Sequence, residues 1–383
     1  MRWRRAAFGI LVQVLRIGGN GPGTLAGLMA QQPQHPKPTQ TAQPEQAGRP
    51  DRADKLARAQ AAVQAQDAAM VIDTSGTTGR PKGAALTHRS RLASAAAQAA
   101  QTAQAAQAAQ AAQTRLTPDD LFHMGKPLNP VGGITCAALA MLLGGGCTVR
   151  VAEFKADRVL RLMQQHRPTI VAGVPTVLTL LLMHARVDAV DFSGARLVFS
   201  GGSTVDPVLL QRLAQCMPHA PCPMPHATLM NFYGLTETSG AIVMTPWDAS
   251  DTDRLASVGR PFDGAQLRIA GADGVAGAAL PAGAVGGLGF KGPGVVPGCI
   301  GAAAGAGFSA DCWLQTGDLG AADPRGFITL KGRQKDMSIQ GGFNVYPAEV
   351  EAVLARHPQV VMAALRDDGA ASDMGIAQRI GQG

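Results

Sequence analysis

Asp73-Thr-Ser-Gly-Thr-Thr-Gly-Arg-Pro-Lys-Gly83 follows directly on the apolar run Met70-Val-Ile72. Glycines at 76 and 79 let the backbone turn tightly and approach a ligand closely. The hydroxyls of Thr74, Ser75, Thr77 and Thr78 and the charge of Lys82 then make the stretch a cradle for phosphate oxygens. It is not the GxxxxGK[ST] loop, because Gly83 follows Lys82 where that motif places a hydroxyl for Mg²⁺.

Downstream of this loop, short apolar runs at Ile170–Val174, Arg196–Ser200 and Leu229–Phe232 alternate with helical stretches at Asp157–His166 and Asp206–Cys216. Such alternation predicts a mostly parallel sheet covered by helices. Ile134–Val149 and Thr169–Met183 are strongly apolar, but Gly144–Gly146 and Pro175 break them, so they read as buried core and not as membrane spans. From Val258 to Leu330 the chain turns Gly-rich with short strand signals, as in a small β-subdomain. Between Ala93 and Gln113 runs an Ala-Ala-Gln repeat with glutamines at 98, 101, 104, 107, 110 and 113. Alanine favours helix, but a three-residue period rotates each glutamine around the axis, so the expectation is an exposed, loosely packed helix.

The chain has 383 residues, 46% hydrophobic and 16% charged, which excludes wholesale disorder and leaves room for two or three domains. Its net charge of +7 is concentrated at the start: residues 1–50 carry six basic side chains against Glu45 alone. No nucleic-acid surface is therefore expected, and residues 1–50 read as a disordered basic, Gln/Pro-rich tail. The Arg-rich first 20 residues have the look of a transit or export segment, or of an unstructured start. Six scattered cysteines (Cys136, Cys147, Cys216, Cys222, Cys299, Cys312) point to a reducing compartment and a cytoplasmic protein. Cys216, His219, Cys222 and His226 have the types and spacing of zinc ligands, although the prolines between them favour coincidence.

The phosphate loop resembles the signature of the AMP-forming acyl-activating enzymes, which include acyl- and aryl-CoA synthetases, peptide-synthetase adenylation domains and luciferases. Other segments follow in that family's order: Ser200-Gly-Gly-Ser203, Asn231-Phe-Tyr-Gly-Leu-Thr-Glu237, Thr316-Gly-Asp318, and Gly332-Arg-Gln-Lys-Asp336 with Gly341-Gly-Phe-Asn-Val-Tyr-Pro-Ala-Glu349. The resemblance covers residues 70–365. It implies an α/β fold: a large adenylate-forming domain over residues 51–331, built of parallel sheets, helices and a β-subdomain, then a hinge and an incomplete small α+β domain over 332–383.

The resemblance also implies roles. Thr74, Ser75, Gly76, Thr77, Thr78, Gly79 and Lys82 would hold phosphates; Gly201, Gly202 and Ser203 would border adenine. Asn231, Tyr233, Gly234 and Thr236 would bind nucleotide, with the Tyr233 ring against the base. Glu237 would hold Mg²⁺ through ATP, Asp318 and Arg333 would take the ribose, and Lys335 would sit in the hinge. Lys82, Thr236 and Glu237 would be catalytic. The implied reaction joins a small acyl or aryl acid to ATP as an acyl-adenylate and passes it to coenzyme A. Lys335 is the last lysine, so the family's lysine beyond the hinge has no counterpart among the 48 residues that follow. Proline stands at position 130 where relatives commonly place a histidine, with His123 nearby, and Gly286–Pro293 with Cys299 replaces a Gly-Glu…Gly-Tyr pattern. A non-catalytic nucleotide-binding protein or gene fragment is the alternative expectation.

Overall fold

The computed structural model describes residues 13–16, 61–74, 82–108, 116–124, 131–151, 154–202, 209, 228–247, 249–271, 278–300, 307–340, 343–354, 357 and 360. The strands are β1 (Gln13–Arg16), β2 (Ala68–Thr74), β3 (Lys82–Thr87), β4 (Leu121–Met124), β5 (Cys147–Arg150), β6 (Ile170–Gly173), β7 (Leu197–Gly201), β8 (Thr228–Leu235) and β9 (Gly240–Met244). They continue with β10 (Arg260–Pro261), β11 (Gln266–Ala270), β12 (Gly286–Lys291), β13 (Cys299–Ile300), β14 (Leu314–Ala322), β15 (Ile328–Arg333), β16 (Ser338–Gln340) and β17 (Phe343–Val345). The α-helices are α1 (His88–Ala108), α2 (Ala140–Gly144), α3 (Ala156–His166), α4 (Pro175–Leu182), α5 (Asp251–Ala256) and α6 (Pro347–Leu354), with a π-helical segment at Gly132–Leu139.

The main sheet has the order β1-β5-β4-β6-β7-β8-β9-β10, parallel from β5 to β8 and antiparallel at both edges. Side chains alternate across it with the period of two that strands impose. Val171, Val198 and Leu229 pack on one face against Leu160, Met163, Leu178 and Leu181 of α3 and α4. Ile170, Leu197, Phe199 and Met230 pack on the other against Ala137, Ala140, Met141 and Ala95. The expected strands and the helix at 157–166 thus form a helix-covered parallel sheet. At the other end, β11-β12-β14-β15 make the antiparallel β-subdomain, and β13-β3-β2 a third small sheet.

Two expectations give way. Residues 1–50 were expected to be a disordered tail, yet Gln13–Arg16 pairs antiparallel with β5, with Gln13 opposite Arg150 and Arg16 opposite Cys147. The Ala-Gln helix was expected to be exposed, but its first half is core. Ala95 is fully buried, Gln98 is 1% exposed, and the Gln98 amide donates to the Cys136 carbonyl at 2.7 Å. One glutamine amide can satisfy a helix-facing carbonyl inside the core, an outcome the rotating repeat does not reveal. α1 also has a firm start: Thr87 and Ser90 exchange hydrogen bonds between hydroxyl and backbone N–H, the reciprocal pattern of a capping box. Asp206–Cys216, apart from Leu209 in a helical turn, and the Cys216/His219/Cys222/His226 set lie outside the described residues.

Below the sheet, the Asp120 carboxylate is 2% exposed and takes hydrogen bonds from Arg196 Nε (2.9 Å), Thr169 Oγ1 (2.7 Å) and the Thr117 backbone (2.8 Å), tying together the starts of β4, β6 and β7. His123, in the middle of β4, is 1% exposed, and neither ring nitrogen has a hydrogen-bond partner among the described residues. Burial, reinforced by the charge of His166, pushes the imidazole down to about 4. An unfolded chain takes up this proton near 6.5, so stability is complete above that pH and declines as the pH falls to 4, by about 3 kcal/mol in all. Denaturant midpoints recorded from pH 7 to 4 are expected to fall less steeply for His123→Leu than for the parent; parallel curves would refute this.

Cys312 occupies the left-handed region with φ 64° in an exposed turn, where a Cβ is strained. Cys312→Gly is expected to stabilise the fold by about 0.5–1 kcal/mol, read as a raised denaturation midpoint.

Candidate active site

The phosphate loop springs from a hairpin. Thr74 ends β2 and Lys82 begins β3, the two are paired in register, and the Thr74 hydroxyl donates to the Lys82 carbonyl at 3.4 Å. Both mouths of the loop are therefore fixed. Ser75, Gly76, Thr77, Thr78 and Gly79 lie outside the described residues.

Lys82 meets its counterpart from 155 residues away. β8 ends in the short helical turn Thr236–Thr238, which places Glu237 Oε1 3.0 Å from Lys82 Nζ. The turn is held from below: Thr238 Oγ1 donates to the Gly240 carbonyl at 2.6 Å, and Ser239 Oγ donates to Ser90 Oγ at 2.8 Å. Val296 N–H donates to the Glu237 carbonyl at 2.9 Å. Gly234 is required here, since a Cβ would lie 2.0 Å from the Gly240 carbonyl oxygen. Val296 also lines a cleft of about 630 Å³, together with Lys291, Val295, Phe308 and Cys312.

A second cluster joins β8 to the β-subdomain. Tyr233 OH donates to Asp318 Oδ2 at 2.7 Å, and Arg333 Nε lies 3.2 Å from Asp318 Oδ1. Burial pushes the Asp318 carboxyl up, and the charges of Asp336 and Glu237 add to this; the Tyr233 hydroxyl and Arg333 pull it back. Burial and the adjoining Asp318 carboxylate raise the Tyr233 phenol well above its usual range, so it stays a neutral donor. Tyr233, expected to offer its ring to a base, is 9% exposed and tilted against Phe290 at 5.9 Å. Both Asp318 oxygens, expected to face ribose, are engaged by protein.

Asn231 also makes contacts within the protein. Its amide Nδ2 points inward, donating to the carbonyls of Arg254 (2.8 Å) and Ser257 (3.3 Å), and so ties β8 to the end of α5. Its Oδ1, and Oγ of Ser200 directly across the β7–β8 register, are buried and find no partner among the described residues. Gly201 ends β7 and Gly202 turns away with φ 91°; Ser203 lies outside the described residues. Thr236 opens the Glu237 turn, and Lys335 is exposed on the short turn Gln334–Asp336 after β15. Cys299 was noted only as a replacement in a motif. Its strand, β13, pairs with β3, and its thiol feels both Lys82 and Glu237, with burial raising it most. His123, noted for its nearness in sequence to position 130, is buried within β4 of the main sheet.

The site lies at the carboxyl ends of the parallel strands, where open α/β sheets bind ligands. A family model described as AMP-binding enzyme matches residues 23–299. The chain belongs to the AMP-binding enzyme family. That match begins well before the phosphate loop, inside the stretch read from sequence as tail. A relative from Mycobacterium tuberculosis, 3-[(3aS,4S,7aS)-7a-methyl-1,5-dioxo-octahydro-1H-inden-4-yl]propanoyl:CoA ligase, is 35% identical over 297 residues, covering 77% of this chain and 52% of the relative. ATP-bound MatB from Rhodopseudomonas palustris is similar in structure, with TM-score 0.67, 30% identity, and 81% and 60% of the two chains covered. O-succinylbenzoate coenzyme A synthetase from Bacillus subtilis, in complex with ATP and magnesium ion, matches with TM-score 0.63, 28% identity, and 79% and 58% covered. The chain spans about half the length of the curated relatives it matches.

The residues present suit a metal–nucleotide. A hard carboxylate (Glu237) stands beside a cation (Lys82), and two buried polar atoms, Asn231 Oδ1 within β8 and Ser200 Oγ near the end of β7, find no partner among the described residues. Among the described residues no group of three or more His, Cys, Asp or Glu is placed to hold a metal by itself, and no helix is long and apolar enough to cross a membrane.

Proposed function

We propose that the protein activates a small carboxylic acid with ATP, forming an acyl-adenylate and pyrophosphate, and transfers the acyl group to the thiol of coenzyme A. The observation that carries this is the convergence of Lys82 and Glu237 at 3.0 Å, next to the Tyr233–Asp318–Arg333 cluster, from motifs far apart in sequence.

In this reading Lys82 takes charge from the phosphate oxygens as the acid's carboxylate attacks the α-phosphorus and the bond to pyrophosphate breaks. Glu237 and Thr236 would hold Mg²⁺, which when bound neutralises phosphate charge. Arg333 and Asp318 would contact the ribose once Arg333 turns outward, and Asn231, whose Oδ1 has no partner among the described residues, would border the nucleotide. Lys335 would serve as the hinge for the second half-reaction. Six cysteines scattered along a chain of this length suit a reducing, cytoplasmic setting.

ATP–pyrophosphate exchange with a panel of fatty and aromatic acids tests the proposal. Acid-dependent exchange is the expected result. Mg·ATP binding without exchange for any acid would instead assign a nucleotide-binding protein without catalysis.

A further inference from the structure

Lys82 and Glu237 come from separate sheets and meet at 3.0 Å, their side chains only 21% and 11% exposed. In that setting an ion pair is screened less than on an open surface, and removing one partner leaves the other charge uncompensated. The backbone around the pair is fixed. Glu237 is held through its carbonyl by Val296, and Lys82 is the first residue of a paired strand. A Cβ at Gly307 would lie 3.8 Å from Lys82 Nζ, so the backbone there comes close to the ammonium.

Two incoming charges of opposite sign can replace this pair at no net electrostatic loss: anionic oxygens for Lys82 and a divalent cation for Glu237. A polyphosphate without its cation satisfies Lys82 alone and leaves the Glu237 carboxylate facing further negative charge. We propose that the Lys82–Glu237 pair is a charge latch that admits the polyphosphate of a nucleotide together with a divalent cation and turns away the metal-free form. The proposal rests on the nucleotide-binding reading above. It adds to that reading a selection at entry, made by the two residues against each other.

Calorimetric titration of the whole chain with Mg·ATP, with ATP in excess EDTA, and with Mn²⁺ alone separates the possibilities. The parent is expected to bind Mg·ATP at least about tenfold more tightly than metal-free ATP. Glu237→Gln removes the competing charge. It is expected to bind metal-free ATP about three- to tenfold more tightly than the parent while losing affinity for Mg·ATP. Lys82→Met frees the carboxylate and is expected to bind Mn²⁺ alone more tightly than the parent does.

A Glu237→Gln protein with unchanged or weaker affinity for metal-free ATP would overturn the latch, leaving Glu237 a metal ligand only and the nucleotide reading intact. A parent that binds no Mg·ATP would overturn both. If Glu237→Gln does not fold, by its thermal transition, the Lys82→Met titration with Mn²⁺ decides alone, and no gain in Mn²⁺ affinity then refutes the latch.

Discussion

Lys82→Met is expected to lower acid-dependent ATP–pyrophosphate exchange by about 10²–10³-fold, the usual loss when one preorganised charge-stabilising group is removed from a reacting centre. The effect follows from placement. Lys82 is the first residue of β3, its carbonyl is bonded by Thr74, and its ammonium reaches the only carboxylate it is paired with among the described residues, Glu237. Methionine keeps the length of the stem and removes the charge, so the sheet β13-β3-β2 should be little disturbed. The thermal transition of the variant is therefore expected within a few degrees of the parent. An exchange rate within about threefold of the parent would show that Lys82 does not face the phosphates, and would leave the pair with Glu237 as a structural ion pair.

Phe199→Ala is expected to have the largest effect on stability, a loss of about 3–5 kcal/mol from a total that for domains of ordinary size is roughly 5–15 kcal/mol. Phe199 is 1% exposed at the centre of β7, with Phe122 stacked on one side (6.1 Å between centroids) and Phe232 tilted on the other (5.8 Å). Truncation would leave a hole between three strands that close packing cannot refill. The check is the midpoint of urea unfolding followed by circular dichroism. A cost below about 1 kcal/mol would mean that the aromatic layer on the α1 side of the sheet is not the centre of the core.

The central strands were legible because their apolar runs sit between clear breakers. Ile170–Val174, Arg196–Ser200 and Leu229–Phe232 each overlap an observed strand, and helix 157–166 starts one residue earlier than expected. The site's membership was legible in the motifs, but its internal pairing was not. Nothing local to Lys82 indicates that Glu237 will meet it, and nothing local to Tyr233 indicates a bond to Asp318, 85 residues on. The contacts of Asn231 were hidden for a related reason. A polar residue inside a binding motif invites a ligand role, and nothing local to it shows that its amide also reaches the carbonyls of Arg254 in α5 and of Ser257 just after it. The Ala-Gln repeat misled by its regularity: helical periodicity says which positions share a face, but not that a core carbonyl will accept one glutamine.

The Glu237 turn leads from β8 into β9, whose five residues are all buried, whereas Lys82 rises from a hairpin whose outer strand β2 is exposed at Ala68, Val71 and Asp73. In amide hydrogen exchange the first should be released only by unfolding of the whole sheet, and the second by local opening at an edge. A ligand that spans the two would splice a fast-exchanging unit onto a slow one, so that its grip on the phosphates becomes visible as protection of β2 amides that it never touches.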